Sequence, residues 1–345
     1  MKKALKILAL LCATLIVLTA LTSCIFLPNI YGDFSLDDFL PEGLLPNSSD
    51  NICINVTVLN GTTGFGAAKL IDDSQNGKTA LNYNFTVESD AANVTAGLIN
   101  GSIDIAALPT NAAATVYNKT NGGIKIAAVN TLGVLYLITN SEKITIDSIH
   151  DLEGKTVYCP AQNPAFIFEA ICRANSLNVT VDTAYSQPAD LRTALVSGQV
   201  DIAVLPEPMV TIAKSNNDKL VTALDLTEEW KKIYGNNTLM QGCIVVRTEW
   251  AEAHPEELVK FLEEYENSVK YTLKNPTMAA ELIVANNIFA GKAAVAAKAI
   301  PNCNIVYING DEMSSSLDVF FKTLYSINPK AVGGKIPDSR IYLEK

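Results

Sequence analysis

Histidine is scarce in this sequence: the 345-residue chain has two, His150 and His254. Neither lies in a loop that we expect to line a cleft. The sequence therefore offers no candidate histidine for a proton relay or for activation of a nucleophile. The motifs GxSxG, HExxH and GxxxxGK followed by Ser or Thr are absent as well. We therefore assign no catalytic residue and predict that the chain is not an enzyme.

Positive charge is also in short supply. The chain carries 26 lysines and arginines against 36 acidic residues, a formal net charge of −10. Removal of an N-terminal leader with Lys2, Lys3 and Lys6 would leave 23 basic residues and a net charge of −13. Nucleic-acid binding requires many cations that contact phosphates. The composition therefore predicts no nucleic-acid partner.

Cysteines with the spacing of a metal or redox site are missing. Seven cysteines occur, of which five follow Cys24, and no two of them have CxxC spacing. An odd number without that spacing argues against a disulfide framework and against a zinc site. We expect no metal and no cofactor. A bridge between Cys159 and Cys172 remains open at this stage.

The chain has a single long apolar run, from Ile7 to Ala20, and three lysines precede it. This is the layout of a secretory signal, and the run is shorter than the roughly 20 residues of a membrane span. It leads into LTSC at residues 21–24, which resembles a bacterial lipobox. We predict a signal peptide at residues 1–23 and an acyl chain such as palmitate on Cys24. An ordinary cleaved signal and a transmembrane helix are the alternatives.

Residues 24–49 read as the lipidated cysteine and a tether. The segment contains three prolines, several acidic residues and no sustained hydrophobic period. Proline makes such a linker extended and fairly stiff. A globular pattern begins near Ile52, so we expect a folded part held against the extracytoplasmic face of a bacterial cell membrane.

Two segments 97 residues apart nearly repeat each other, LINGSIDIAALP at residues 98–109 and LVSGQVDIAVLP at residues 195–206. Each reads as a helix that ends at a glycine, a tight turn, and a short buried strand that proline stops. Proline can then open the next helix in its first turn. The spacing is too long for a solenoid. It favours one α/β unit used once in each of two similar lobes.

The remaining patterns agree with an α/β fold. Strands alternate with helices of about ten residues, which indicates mostly parallel sheets flanked by helices. Predicted strands lie at 55–59, 83–88, 124–129, 133–139, 179–185 and 243–246, and predicted helices lie at 67–75, 165–174, 189–196, 255–274, 277–285, 291–299 and 314–326. The second lobe begins with the turn and strand of DLEGKTVY at residues 151–158.

The chain resembles the solute-binding lipoproteins of ABC importers, and within them the nitrate, sulfonate, taurine and thiamine-precursor branch. The resemblance rests on DLEGKTV, on the paired GxxDIAxLP units and on PEELVKFLEEYENSVKYTLKNP. It covers residues from about 52 to 340.

The resemblance implies a type II periplasmic-binding-protein fold with two lobes joined by two hinge strands. Lobe 1 would comprise residues 50–139 and 241–345, and lobe 2 residues 140–240. It also implies capture of a small molecule between the lobes, delivery to an ABC permease, and a monomer.

Four loops are expected to meet at the ligand, because open α/β sheets bind ligands beyond the carboxyl ends of their strands, where helices begin. The candidate ligand-binding residues are Thr62, Thr63, Gly64, Phe65, Thr110, Asn111, Tyr136, Gln162, Asn163, Phe166 and Glu207. For the threonines the alternative is helix capping without a ligand. For the aromatic rings the alternative is core packing.

Glu207 has two interpretations at this stage. Its carboxylate could receive an amine or ring N–H of the ligand, or it could be a charge at a helix N-terminus. No arginine lies in a predicted cleft loop, which argues against bidentate clamping of a strongly charged anion. The balance favours a small, weakly charged organic molecule, with heterocycles and sulfonates as candidates. A biosynthetic enzyme on the same fold is the second hypothesis, and a purely structural surface lipoprotein is the third.

Overall fold

Two sheets flanked by helices form residues 52–344, the part of the chain that the structure, a computed structural model, describes. The first sheet contains β1 (Cys53–Leu59), β2 (Asn82–Glu88), β3 (Ile105–Pro109), β4 (Ile124–Thr131), β10 (Gly242–Arg247) and β11 (Ile305–Ile308). The second sheet contains β5 (Leu135–Asn140), β6 (Thr156–Tyr158), β7 (Thr180–Asp182), β8 (Ile202–Pro206) and β9 (Leu220–Asp225). The signal peptide, Cys24 and the tether lie outside the described residues.

Thirteen α-helices connect these strands within residues 52–344. They are α1 (Thr62–Phe65), α2 (Ala68–Gln75), α3 (Ala91–Asn100), α4 (Thr110–Thr120), α5 (Asn163–Ala174), α6 (Pro188–Val196), α7 (Met209–Asn216), α8 (Leu226–Tyr234), α9 (Thr248–Ala253), α10 (Pro255–Lys274), α11 (Pro276–Ala285), α12 (Ala293–Ala299) and α13 (Gly310–Ile327). None of the helices in this part of the chain is long and apolar enough to cross a bilayer.

Most strands of each sheet run in one direction. The first sheet has the order β11-β4-β10-β3-β1-β2, and in it β1, β2, β3 and β4 are parallel while β10 and β11 run against them. The second sheet has the order β7-β6-β8-β5-β9, and β5 alone is reversed. Helix crossovers give the parallel pairs. The reversed strands β5 and β10 are the first strands after the chain passes from one sheet to the other. The predicted α/β class with two helix-flanked sheets is confirmed.

The chain crosses between the sheets at residues 132–134 and returns before β10. Gln241 ties the two crossings together: its main-chain N–H donates to the Thr131 carbonyl (3.0 Å), and its side-chain Oε1 accepts from the Val134 N–H (2.7 Å). Gly133 has no room for a side chain, since a Cβ there would lie 2.3 Å from the Thr227 hydroxyl oxygen. The crossing segments are therefore closely packed.

The repeated sequence segments form equivalent units, one in each sheet. Helix α3 ends at Gly101 with φ of 83°, and α6 is followed by Gly198 with φ of 75°. This left-handed conformation is favourable mainly for glycine and turns the chain sharply into the next strand. The strands that follow, β3 and β8, are buried over four residues each, and proline stops both. The two units thus lie in separate sheets.

The aspartate directly before the strand of each unit forms an ion pair with a cationic side chain of a neighbouring element. Asp104 lies 3.6 Å from Arg247, and its carboxylate also accepts the main-chain N–H of Asn55 at 3.0 Å. Asp201 pairs with Lys143 at 2.7 Å. The two aspartates therefore hold the entry of β3 and β8 to adjacent chain segments.

Helix α13 packs against helices of the second sheet although it follows β11 of the first. Its Phe320 is fully buried and lies 6.0 Å, ring to ring, from Trp230 on α8. Arg173 of α5 donates to the main-chain carbonyl of Ser326 at 3.0 Å. One apolar cluster consequently includes residues of both sheets and of α13.

The sequence prediction missed the strands β9 and β11, the helices α8 and α9, and the short helix α1. Strands β9 and β11 are outer strands of their sheets, and both are only partly buried. Asp225 caps α8 by accepting the N–H of Thr227 at 2.8 Å. Asp225 is also the last residue of β9, and because that strand was not predicted, the capping pattern at Asp225 was not recognised either. By contrast α10 begins and ends at the predicted residues.

Candidate functional site

The loop after β1 reverses the chain sharply into α1. Gly61 has φ of 95°, and a Cβ on Gly64 would lie 2.2 Å from the Leu59 carbonyl oxygen. The carbonyl of Thr63 accepts from the Asn130 side chain at 2.9 Å. Glycine is thus required for the close approach, and the loop is fixed to the end of β4.

Helix α4 begins at Thr110, directly after β3. The Thr110 N–H donates to the Gln241 carbonyl at 3.1 Å, and its buried hydroxyl lies against the Cys243 thiol. These contacts give Thr110 a structural role. The next residue, Asn111, is 9% exposed, and its Oδ1 has no hydrogen-bond partner. A buried polar oxygen without a partner is costly.

Helix α5 begins in the same way in the second sheet. Gln162, its N-cap, has φ of 67° and ψ of −125°, a conformation that is rare outside glycine. Asn163 follows and is 9% exposed, and its Oδ1 also lacks a partner. Two helix starts, one from each sheet, therefore present a buried carboxamide oxygen without a hydrogen bond.

A cavity of about 460 Å³, which we call the α4/α5 cavity, contacts helices of both sheets. Asn111 and Thr115 of α4 face it from the first sheet, and Gln162 and Phe166 from the second. The remaining side chains that line it include Asp90, Ala91, Thr95, Lys119 and Lys330. The cavity combines an aromatic ring, carboxamides and charges of both signs.

A second cavity of about 530 Å³, the α7/α12 cavity, lies between other elements of the two sheets. Tyr136 of β5 and Glu207 after β8 line it, together with Lys214 of α7. Lys298 of α12 and Asn302 line it from the side of the first sheet. The predicted site residues are therefore divided between two cavities.

Glu207 caps α7 from the residue preceding its N-cap. It is 3% exposed, and its carboxylate accepts from the Thr211 N–H (3.1 Å) and the Thr211 hydroxyl (2.9 Å). Burial raises the pKa of Glu207 above its ordinary value, although these bonds and Lys214 oppose the shift. Burial likewise raises the pKa of Tyr136, whose Oη donates to the Asn302 carbonyl at 2.9 Å.

Some candidate residues line neither of the two cavities. Phe65 is fully buried in the core, with its ring 6.3 Å from that of Phe289. Thr62, Thr63, Gly64, Thr110 and Asn163 are also outside the linings of both.

Sequence reasoning missed Asp90, Lys119, Lys330, Lys298 and Asn302 as lining residues. Asp90 could have been found, because an aspartate before a helical pattern is an N-cap signal, and it does cap α3. The others come together only through tertiary packing.

The described cysteines are all free thiols, so a Cys159–Cys172 disulfide is not formed. Both are buried, and burial raises the pKa of Cys172 to about 12. Residues 52–344 contain no cluster of ligands that could hold a metal ion.

Comparison with known proteins places the chain in a family. The NMT1/THI5-like family model matches residues 79–279, more than half of the chain. The chain belongs to the NMT1/THI5-like family. None of the curated proteins matches it by sequence.

Solved structures with the same fold are binding components of ABC importers in several cases. An ABC transporter structure from Parabacteroides distasonis is 24% identical with a TM-score of 0.73, covering 85% of this chain and 99% of its own. The periplasmic aliphatic sulphonate binding protein SsuA of Escherichia coli is 14% identical with a TM-score of 0.69, covering 85% and 92%. SsuA of Xanthomonas axonopodis pv. citri, bound to MOPS, is 11% identical with a TM-score of 0.59, covering 84% of this chain and 96% of its own. At these identities the likeness establishes the periplasmic-binding-protein fold, as the sequence predicted.

Proposed function

We propose that this family member is an extracytoplasmic solute-binding protein that captures a small organic molecule between its two sheets and delivers it to an ABC importer permease. One observation carries the proposal. Asn111 and Asn163, each at the first turn of a helix and each from a different sheet, bury a carboxamide oxygen that no group of the described chain satisfies. Asn111 lines the α4/α5 cavity, so a solute there that donates a hydrogen bond to it would supply its missing partner, whereas Asn163 lies outside the lining.

The proposed solute is weakly charged and carries a flat or apolar portion. Phe166 offers a ring face in the α4/α5 cavity, and Asn111 and Gln162 offer polar contacts there. No arginine lines this cavity, so bidentate recognition of a strong anion has no support. Heterocyclic vitamin precursors and sulfonates are the first compounds to test.

We further propose that the mature protein is a monomer anchored by a lipid on Cys24 to the outer face of the cell membrane. Anchoring keeps a solute-binding protein close to its permease, which raises the effective concentration for delivery. A role in binding rather than catalysis is favoured because neither His150 nor His254 lines the α4/α5 or the α7/α12 cavity.

A thermal-shift screen followed by calorimetry tests the function. The panel contains sulfonates, thiamine precursors, flavins and nucleobases. A ligand at a hundredfold excess over its Kd stabilises the protein by about 2.7 kcal/mol, which is readily detected. For the compound found, Asn111→Ala should weaken binding by about 1–3 kcal/mol, the cost of a lost buried hydrogen bond. The free protein should keep its stability, since Asn111 Oδ1 has no partner to lose.

Asn178→Ala is the matched control, because Asn178 is exposed and outside both cavities. It should bind like the unchanged protein. The proposal is wrong if no compound raises the melting temperature, or if Asn111→Ala binds a confirmed solute with unchanged affinity.

A further inference from the structure

The α7/α12 cavity is the place where the second sheet contacts a short segment of the first. That segment is the 3₁₀ turn Ile300–Asn302 with the two residues that follow it, ahead of β11. Ile300 and Cys303 are buried in the apolar cluster that covers one face of the first sheet. The segment is therefore part of the body built around the first sheet.

Two residues of the second sheet converge on Asn302. The Tyr136 hydroxyl donates to its main-chain carbonyl at 2.9 Å. The carboxylate of Glu207 is within reach of its side-chain amide, and this contact favours the charged carboxylate. Both residues are at least nine-tenths buried, whereas Asn302 is exposed.

The same segment also holds the crossing between the sheets. The Leu132 N–H donates to the Asn304 carbonyl at 3.0 Å, and the Asn304 side chain donates to the Gly133 carbonyl. Asn302 and Asn304 thus contact the second sheet and the crossing, respectively, from one short turn. A movement of the second sheet about residues 132–134 would leave the Asn304 contacts near the pivot and would separate Asn302 from Tyr136 and Glu207.

We propose that Asn302 is a latch that holds the two bodies together through Tyr136 and Glu207, and that the latch sets the fraction of closed protein without touching the solute. The proposal rests on the proposed function, because closure matters for capture of a solute between the sheets. Glu207 is suited to the part because its two bonds to Thr211 fix it on α7. Tyr136 is fixed on β5, which pairs with β8 on one side and β9 on the other.

The bond of Arg173, another tie between distant parts of the described chain, does not restrain closure in this way. Arg173 of α5 bonds the end of α13, but α13 packs on the helices of the second sheet, as the contact of Phe320 with Trp230 shows. That bond lies within one packed group of helices. We therefore expect loss of the contact at Asn302 to favour opening.

A spin-label distance measurement without any solute tests the latch. Labels at Ser89→Cys and Thr183→Cys, in a Cys53→Ser background, lie on exposed residues just beyond β2 and β7, the outer strands of the two sheets. Tyr136→Phe removes one hydrogen bond, and Asn302→Ala removes the side-chain contact. Tyr136→Phe should lower the ratio of closed to open protein about fivefold, as expected for one hydrogen bond. Asn302→Ala should change the ratio in the same direction, and both distributions should gain longer distances.

Lys298→Ala is the matched control, since Lys298 lines the same cavity and makes no hydrogen bond or ion pair in the described structure. Its distribution should equal that of the labelled parent. Circular dichroism checks the folding of each variant. Unchanged distances in both Tyr136→Phe and Asn302→Ala would overturn the latch. Because no solute is used, that result leaves the solute-binding screen standing as an independent test, and a failed screen leaves the latch standing.

Discussion

At the scale of the residue, Glu207 combines a helix-capping contact with a place in a cavity between the sheets, and its contact with a ligand stays a prediction. It caps helix α7 through Thr211, which is the structural interpretation, and it also lines a cavity between the two sheets. The sequence showed a carboxylate at the end of a strand, but it did not show that the group is 3% exposed. Burial is what raises its pKa and makes its protonation relevant to stability.

The raised pKa of Glu207 predicts a pH dependence of stability. The folded protein binds the proton on Glu207 more tightly than the unfolded chain does, so this group stabilises the fold fully below pH 4.5, its ordinary pKa. The contribution is lost as the pH rises through the raised pKa. Glu207→Gln cannot titrate. We expect the free energy of unfolding of the parent, relative to that of Glu207→Gln, to fall between pH 4 and pH 8 in urea titrations.

Glu252→Gln serves as the control for this measurement, because Glu252 is an exposed glutamate on α9. The curve of this variant should follow that of the parent at every pH. Parallel curves for the parent and Glu207→Gln would show that the burial of Glu207 has no effect on stability.

At the scale of the element, the repeated unit depends on the glycine that ends its helix. Gly101 and Gly198 occupy equivalent places and both have positive φ. They differ in their surroundings: a Cβ on Gly101 would lie 3.0 Å from Arg247 Nη1, whereas on Gly198 the nearest group is Lys143 Nζ at 3.9 Å. Gly198 therefore isolates the backbone effect from steric contact.

Gly198→Ala should lower the free energy of unfolding by about 1 kcal/mol, the cost of holding an alanine in the left-handed region. Chemical denaturation measures the change. Ser197→Ala is the neighbouring control, since Ser197 has right-handed helical dihedrals and should cost less. Equal stability of Gly198→Ala and the parent would mean that the turn relaxes to another conformation.

At the scale of the whole molecule, the two crossings between the sheets place the cleft. The chain leaves the first sheet after β4 and returns to it as β10. Gln241, directly before β10, forms hydrogen bonds with Thr131 and Val134 at the two ends of the first crossing. Solutes bound beyond the carboxyl ends of β3 and β8 would lie between the bodies that these crossings join. The N-terminal segment would hold this assembly at the membrane, in accordance with the proposed lipid on Cys24.

Cys24→Ser tests the anchor in the bacterial host. The variant should appear in the medium or periplasm instead of the membrane fraction, and it should lose labelling by a clickable fatty acid. A serine cannot form the thioether that carries the lipid. Cys53→Ser, which changes an exposed cysteine of the folded part, should keep both membrane association and label. Membrane association of Cys24→Ser equal to that of the parent would exclude the lipid anchor.

The sequence by itself determined the α/β class, most element positions and the repeated unit, because these depend on local signals. Helix α10 follows from its proline start and helical period, and the turns at Gly101 and Gly198 follow from glycine. The sequence also placed a helix start after Pro109, near Asn111, and another at Ala165, two residues after the observed start at Asn163. The edge strands β9 and β11 were not predicted from the sequence, because their residues gain stability from pairing with strands distant in sequence.

Only the tertiary structure decided which of these residues meet. Tyr136 and Glu207 lie with Asn302, more than 90 positions away in sequence, while Asn111 lines a different cavity with Phe166. Contacts of that kind arise from the packing of whole elements, and no local pattern encodes them. The structure also placed Phe65 in the core, because an apolar ring next to a glycine turn gains more from burial than from exposure in a cleft.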